Sequence, residues 1–491
     1  MRHRYQIAAA LLAVVVAACA DEQATAPSRF APSFAVNAQG ASTYVIVGNG
    51  NTLPGTLAAS VQAAGGTLET VMDGIGVASA SSSDPNFATK LRAVSGVQFV
   101  DQDIVMDFGN PTVGPEALEA TDAGIADPSQ SAVGAVETFR AVQWAPDAIH
   151  APAAWDLGYQ GQGVRVAILD GGIRNTHIDI APNFDVAHSA SFVPNQPFNF
   201  DQARDANGVC NSVDTFWHGT HVAGIVAAPA NNVGTVGIAP RATIIGVKVL
   251  HCGSGSFTQV INGIYYAATP IAAGGAGANI INMSLGALID KGGNGVAHLL
   301  AALSRATSYA NAQGVTVIAA AGNDGVKAGG NLVSVPAMSV GVLGISATAP
   351  IGWGLNSAAD LDRLASYTTV GHQDVNFAAP GGDFALPGSQ ICQKPRFPSG
   401  TVVQFCWVLD MVMAPCRGSG TSISTYCWAA GTSMASPAAA GVAALILGRT
   451  PGLSPSQVEA QLRRTSDDLG KPGKDDGYGQ GRVNALRAVT E

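Results

Sequence analysis

Five apolar runs constrain the fold of this chain more than any other feature of the sequence. They alternate with Ala-rich, helix-like segments, and several are continuously apolar. A strand has this character when both of its faces are covered, as in a parallel sheet with helices on both sides. We therefore predict an α/β domain with a mostly parallel central sheet over residues 141–491. The five runs are Val164–Leu169, Thr243–Val249, Ile280–Met283, Val315–Ala321 and Val340–Ser346.

Composition excludes several classes of protein. The 491 residues are 47% hydrophobic and only 12% charged, which rules out a chain that is disordered throughout. The formal net charge is −9, and no basic cluster is dense enough to follow a phosphate backbone. Nucleic acid is therefore not an expected partner.

The amino terminus is typical of an exported protein. Two arginines in the first four residues precede the apolar run Ile7–Ala18, which is too short for a permanent membrane span. We predict a signal peptide over residues 1–19. Its end, Val-Ala-Ala-Cys19, resembles a bacterial lipobox, and ordinary cleavage nearby is the alternative. We expect a secreted protein or one anchored to the cell envelope by a lipid on Cys19, with residues 20–42 as a flexible tether.

The remaining six cysteines agree with export. Six residues allow three disulfides and fifteen pairings, whereas buried free thiols and metal ligation are the alternatives. No Cys-x-x-Cys pair supports a metal. The six are Cys210, Cys252, Cys392, Cys406, Cys416 and Cys427.

Two segments stand apart from the α/β rhythm. Residues 43–106 predict the order β-α-β-β-α-β, a small ferredoxin-like α+β unit whose last strand is Val97–Val105. Residues 107–140 lack a clear period and are interpreted as a linker. Residues 382–428 carry four cysteines and are predicted to be a Cys-rich surface insertion.

Three short motifs each place a polar side chain where a strand ends or a helix begins. Asp170 follows an apolar strand, and alone it would be read as a cap or turn residue. His218 begins a segment of small residues; it could share a metal with His221, but no His-Glu-x-x-His pattern is present. Ser433 would lie at a helix amino terminus, where a plain N-cap is the ordinary interpretation.

Together the motifs VAILDGG, WHGTHVAG and GTSMASP resemble the signature blocks of the subtilisin-like serine proteases over about residues 141–491. The order Asp170, His218, Ser433 is that of subtilisin. The resemblance implies that Ser433 is the nucleophile, His218 the general base and then acid, and Asp170 the carboxylate that orients the imidazole. Asn323, in AAGND, matches the asparagine of the oxyanion hole. Gly171 departs from the family, which usually has a hydroxyl residue there.

Substrate binding is implied by the same resemblance. Within the family the chain is similar to the proteinase K-like branch. Two segments look like edges that hold an extended peptide by main-chain hydrogen bonds, which makes recognition largely indifferent to side chains. Glycines that merely form turns are the alternative. The two edges are Gly253, Ser254 and Gly255, and Ser284, Leu285 and Gly286.

Further expectations also rest on the resemblance. Residues 43–106 resemble an inhibitor propeptide, so we expect self-cleavage within 107–140 and, if Cys19 is lipidated, loss of the lipid with the propeptide. No cofactor is expected for catalysis. Asp179 and the loop containing Asn232 resemble a calcium site, although the loop looks one residue short and solvated acids are the alternative. Cys210 is paired with Cys252, which leaves four cysteines to pair within the insertion.

These observations predict a secreted or surface serine endopeptidase of broad specificity, made as a self-processing zymogen and acting on proteins or peptides through an acyl-enzyme. An α/β-hydrolase is rejected because its serine precedes the acid and the histidine, and no histidine follows Ser433. The alternative is a catalytically silent surface lipoprotein that uses the protease fold as a binding module.

Overall fold

The computed structural model describes residues 33–35, 40–107, 112–119, 133–202, 210, 218–416 and 424–491. These residues belong to one compact unit. The predicted signal peptide and Cys19 lie outside the described residues, as do most of the tether and part of the linker. In the described ranges, no helix combines the length and apolar character needed to span a membrane.

The elements of the first part follow in chain order: β1 (Ser33–Phe34), β2 (Ser42–Gly48), α1 (Leu57–Ala63), β3 (Gly66–Met72), β4 (Val77–Ser82), α2 (Phe87–Arg92), β5 (Val97–Gln102), β6 (Ile104–Asp107) and β7 (Thr112–Glu119). Strands β2 to β5 form an antiparallel sheet in the order β3-β4-β2-β5. With α1 and α2, they follow the β-α-β-β-α-β order predicted from the sequence.

The second part contains α3 (Ala145–Ala148), α4 (Ala151–Asp156), β8 (Arg165–Asp170), β9 (Ala190–Ser191), α5 (His218–Ala227), β10 (Thr243–Lys248), β11 (Ser254–Ser256), α6 (Phe257–Ala268), β12 (Ile280–Met283), β13 (Ala287–Asp290), α7 (Val296–Ala312), β14 (Thr316–Ala320), β15 (Leu332–Val335), β16 (Val342–Thr348) and β17 (Phe377–Pro380). The chain then forms β18 (Ile391–Pro395), β19 (Thr401–Phe405), β20 (Val412–Pro415), β21 (Thr425–Ala430), α8 (Thr432–Arg449), α9 (Pro455–Thr465) and α10 (Ala485–Thr490).

A seven-stranded sheet confirms the predicted α/β class. Its order is β17-β16-β14-β12-β8-β10-β9, and its pairings are parallel. Alternate residues of β8 belong to different cores: Val166 and Ile168 pack with α5 and α8, whereas Ala167 and Leu169 pack with α6 and α7. Both faces of the strand are therefore buried, which is why Val166 to Leu169 form a continuous apolar run.

The predicted strand Val97–Val105 is wrong in one respect, because it is divided at Asp103 into β5 and β6. The Asp103 carboxylate is buried and accepts from its neighbour Ile104 N at 2.9 Å and, at the start of α6, from Thr258 N at 3.4 Å. Because Asp103 is committed to these contacts, β6 leaves the first sheet and pairs with β1 and β11 instead.

The Cys-rich segment is only partly the surface insertion that the sequence predicted. The β18–β19 hairpin alternates between exposed and buried residues and is closed by the disulfide Cys392–Cys406. Strands β20 and β21 are instead largely buried, with Trp428 fully enclosed in the core. The other disulfides are Cys416–Cys427 and, as predicted, Cys210–Cys252.

Candidate active site

Asp170, His218 and Ser433 lie at the carboxyl-terminal edge of the seven-stranded sheet. Asp170 ends β8, His218 begins α5, and Ser433 is in the first turn of α8, which packs against α5. His218 Nδ1 donates to the Asp170 carboxylate, 2.9 Å from Oδ2 and 3.0 Å from Oδ1. Gly171 N also donates to Oδ1, at 2.7 Å. All three side chains are buried, so water has little access to them.

The glycine after His218 permits the close approach of α5 to the end of β8. A Cβ at Gly219 would lie 2.4 Å from Gly172 O and 3.1 Å from Asp170 Oδ1. A larger residue would therefore push α5 away from the carboxylate. His221, one turn on, is directed at the carbonyl of Cys427, 3.1 Å from its Nε2. The second histidine of the motif thus supports β21.

A buried polar network holds the first turn of α8 against β12. Ser433 Oγ donates to Ser284 O at 3.1 Å, and Ser284 Oγ donates in return to Ser433 O at 2.8 Å. Asn282 Nδ2 donates to Ser284 Oγ at 3.0 Å, and Ser436 Oγ donates to Asn282 Oδ1 at 2.7 Å. Satisfied networks of this kind fix side-chain positions in a core. The predicted edge residue Ser284 therefore also fixes Ser433.

Two nitrogen atoms that carry N–H donors lie close to one small space beside Gly431. A Cβ built on Gly431 would lie 3.4 Å from Asn323 Nδ2, 3.6 Å from Ser433 N and 3.7 Å from Asn323 Oδ1. The Asn323 amide is oriented by its oxygen, which accepts from Thr432 N at 2.8 Å and from Thr432 Oγ1 at 2.9 Å. Glycine at 431 keeps this space open. N–H donors near one point can stabilise an oxyanion in acyl transfer.

Strands β6 and β7, which precede the α/β part of the chain, each pair with one of its segments. Strand β6 pairs antiparallel with β11, with Asp107 opposite Ser254 and Met106 opposite Gly255. Strand β7 pairs antiparallel with β21 as far as Thr112 opposite Ala430, the residue before Gly431. Within the edge predicted at Gly253 to Gly255, Ser254 and Gly255 are thus paired with an added strand in this structure.

The comparisons with known proteins agree on one family. Residues 161–481, more than half of the chain, match the peptidase S8 family, described as the subtilase family. The chain belongs to the subtilase family. Subtilisin Savinase from Lederbergia lenta is 33% identical over 351 residues, which are 71% of this subtilase and 99% of the relative. Thermitase from Thermoactinomyces vulgaris is 33% identical over 353 residues, 72% and 97% of the two chains.

A solved structure supports the same fold. Fervidolysin from Fervidobacterium pennivorans, described as a keratinolytic enzyme related to subtilisin, matches with a TM-score of 0.65 at 21% identity. The match covers 94% of this subtilase and 63% of fervidolysin. At this identity the likeness shows the fold alone. The relatives that are proteases show that this subtilase is a serine-type peptidase.

A pair of buried acidic residues, Asp179 and Glu137, lies apart from the triad. Only Asp179 was predicted from the sequence. Asp179 was predicted as a metal ligand, and its carboxylate accepts from Thr235 N at 2.8 Å and from Asn231 Nδ2 at 3.1 Å. Glu137 was missed because it lies in the segment interpreted as a linker. Its side chain is fully buried and lies beside the backbone N–H groups of Asn231, Asn232 and Val233.

Burial determines how this pair titrates. Loss of water raises the pKa of Glu137 to about 8, and the negative charge of Asp179 adds to the effect. Burial likewise raises the pKa of Asp179 to about 7. Calcium takes six to eight oxygen ligands, including carboxylates, backbone carbonyls and side-chain amides. The two buried carboxylates beside the loop that carries Asn232 are oxygen groups of the kind that calcium takes, but the described residues contain no cluster of three or more acidic, histidine or cysteine side chains that could hold a metal.

Proposed function

We propose that this subtilase is a secreted or surface serine endopeptidase that hydrolyses proteins with broad specificity through an Asp-His-Ser triad. The observation that carries the proposal is the space at Gly431, where Asn323 Nδ2 and Ser433 N lie close together beside a serine whose helix packs on the His218 helix. Two N–H donors near one point can stabilise a developing oxyanion, whereas stability does not require them.

The proposed reaction uses the residues in this way. Ser433 Oγ attacks the peptide carbonyl while His218 Nε2 takes its proton. The carbonyl oxygen, now an oxyanion, accepts from Asn323 Nδ2 and Ser433 N. Asp170 holds the imidazole through Nδ1 and stabilises its positive charge. His218 then protonates the leaving amine, and water releases the acyl group from Ser433 by the same steps.

Broad specificity follows from main-chain binding. Backbone pairing at Ser254 to Ser256 binds any extended chain, and Gly255 is too confined to carry a side chain of its own, because a Cβ would lie 2.5 Å from Val249 O. Extended segments exist in unfolded proteins and flexible loops. We infer that such segments, held between this edge and Ser284 to Gly286, are the substrates.

We further propose that the protease is a zymogen that cleaves itself. Two pairings support a cut at one of the bonds between Asp107 and Thr112, within the predicted linker 107–140: β6 pairs with the predicted substrate edge at β11, and β7 begins opposite Ala430, close in sequence to Ser433. The four-stranded unit before the cut would then act as a noncovalent inhibitor. A lipid on Cys19 would remain with that unit, and the catalytic part would be released.

Calcium is proposed as a structural ion at Glu137, Asp179 and oxygens of the loop with Asn232. When bound, the ion would neutralise two buried carboxylates, and it has no part in the reaction. Adding calcium to chelated protein should raise the thermal midpoint, by an amount equivalent to about 2.7 kcal/mol at a hundred times the dissociation constant. Glu137→Gln should reduce the response and Glu459→Gln should keep it. A wild-type midpoint that ignores calcium would contradict the site.

The first experiment tests activity and self-cleavage together. The chain from residue 20 and its Ser433→Ala variant are treated with a fluorophosphonate probe, and their intact masses are measured. The wild type should take the label and lose the residues before a new terminus at 108–112, and the variant should do neither. If both stay whole and unlabelled while folded, the silent binding module becomes the better function. That alternative is not favoured, because all four reactive positions carry competent side chains.

A further inference from the structure

A lysine is buried directly behind the candidate catalytic carboxylate. Lys248 ends β10 and is paired in register with Asp170 at the end of the neighbouring strand β8. Residues paired across parallel strands direct their side chains to the same face of the sheet. The Lys248 side chain is fully buried, which is unusual for an ammonium group. Its position therefore calls for a physical reason.

The ammonium group holds the turn that follows Asp170. Lys248 Nζ donates to the carbonyl oxygen of Gly171, whose own N–H donates to Asp170 Oδ1. Gly171 has no side chain with which to fix this turn. The peptide groups around Gly171 are thus fixed at both ends, by the carboxylate on one side and by the ammonium on the other.

Asp201 provides the opposite charge. Its Oδ1 lies 3.4 Å from Lys248 Nζ and accepts from Cys252 N at 3.0 Å. His251 Nδ1 is 2.9 Å from the same oxygen, and Asp201 itself is buried. Because Cys252 is cross-linked to Cys210, the carboxylate is fixed to a stapled loop. The pair joins that loop to the Asp170 turn.

Stability is a weak explanation for such a pair. Removing two charges from water offsets much of their attraction, and apolar residues of similar volume are often equally stable. A charge-assisted hydrogen bond is, however, short and directional, so it can fix a turn that bare backbone leaves free. Catalytic geometry is sensitive to displacements of about 1 Å. The location of the pair therefore favours a role in geometry.

We propose that Lys248, held by Asp201, is a positioning residue for the reaction. It fixes the Asp170 to Gly171 turn so that both carboxylate oxygens face His218 Nδ1. The inference rests on the proposed protease activity. Lys248 touches neither substrate nor reacting atoms, so its removal should slow turnover and leave substrate binding unchanged.

The test compares four variants of the full chain: Lys248→Met, Lys248→Arg, Asp201→Asn and, as the matched control, Lys327→Met at an exposed lysine paired with Asp476. Processing is completed with a trace of wild-type protease where needed, and active sites are counted with the fluorophosphonate probe. We then measure kcat and KM per active site on a peptide substrate, together with the thermal midpoint.

We expect kcat to fall at least tenfold in Lys248→Met and Asp201→Asn, whereas KM should stay within twofold of the wild-type value. In Lys248→Arg, kcat should be within threefold of wild type. The Lys327 control should equal wild type. If kcat per active site is unchanged and only the midpoint falls, the pair is merely structural and the inference is wrong. If Lys248→Met does not fold, the double variant with Asp201→Asn carries the same expectation without a lone buried charge. An inactive wild type would instead overturn the proposed function.

Discussion

Arg305 on α7 offers a measurable link between the protease and the four-stranded unit. Its guanidinium donates to three acceptors of that unit: Gly48 O at 3.1 Å, Ile75 O at 3.3 Å and Gln98 Oε1 at 2.7 Å. The side chain is half-buried, and the Arg305→Ala substitution would leave two backbone carbonyls of the interface without this donor. The variant should therefore bind the unit more weakly without altering the triad.

The magnitude can be worked from these contacts. Hydrogen bonds from a charged donor are each worth about 1.5–3 kcal/mol when buried, and we take about 1 kcal/mol for a half-exposed group. Three such bonds give about 3 kcal/mol, which corresponds to about a 100-fold larger dissociation constant. The apolar part of the interface, where Ile75 and Met106 join the core of α6 and α7, is unchanged.

The assay uses the cut but undissociated protein. Peptidase activity is followed while processed protein is diluted, and the concentration at which half the activity appears measures the affinity for the unit. Arg305→Ala should move that concentration upward by about two decades, whereas Arg463→Ala, an exposed arginine on α9, should not move it. A shift below threefold in a variant with the wild-type thermal midpoint would refute the reasoning.

Three further predictions concern the rest of the molecule. Asn323→Leu, which cannot donate, should lower kcat about 100- to 1000-fold at nearly constant KM; an equal kcat would contradict its role. Replacing Cys416 and Cys427 together by alanine removes a disulfide between residues 11 positions apart and should lower the free energy of unfolding in urea by about 3 kcal/mol. An unchanged free energy of unfolding would show that this disulfide does not stabilise the fold. Burial lowers the pKa of His177 to about 4 and that of His221 to about 3, against 6.5 in the unfolded chain. The unfolded chain then binds more protons, so stability should fall as the pH is lowered from 6.5 to about 3. His221→Gln should reduce this loss of stability at low pH. If the pH dependence of stability is unchanged in the variant, groups other than His221 cause it.

Much of the α/β fold could be predicted from the sequence because a strand that is buried on both faces is apolar along most of its length. The runs that became β8, β10, β12, β14 and β16 are largely apolar, and each lies within two residues of its predicted bounds. The candidate triad was predicted for a different reason, because three short motifs together resemble the signature blocks of a known family. The structure adds why one motif contains a small residue, since Gly219 lets α5 approach Asp170 closely.

What the sequence concealed depends on long-range contacts. Glu137 is an acid in a segment without periodicity, and nothing local indicates that it meets Asp179. Strand β7 lacks an apolar pattern, and its partner β21 lies far along the chain. Lys248 did give a signal, a single charge inside an apolar strand, but its meaning depends on Asp201, 47 positions earlier. These are contacts that only the folded chain brings together.

The peptide bonds between Asp107 and Thr112 determine how concentrated β6 is around its partner strand β11. While they are intact, β6 faces β11 as part of the same molecule, and tethered groups of this kind experience effective concentrations of the order of mM. In the zymogen we propose, one cut makes this contact bimolecular. If the cut protein is diluted to the order of nM, the concentration of the inhibitory strand around its site is about a million times lower than the effective concentration before the cut. In that proposal, dilution into a large volume would activate the protease, and a high local concentration of the inhibitory unit would keep it inactive.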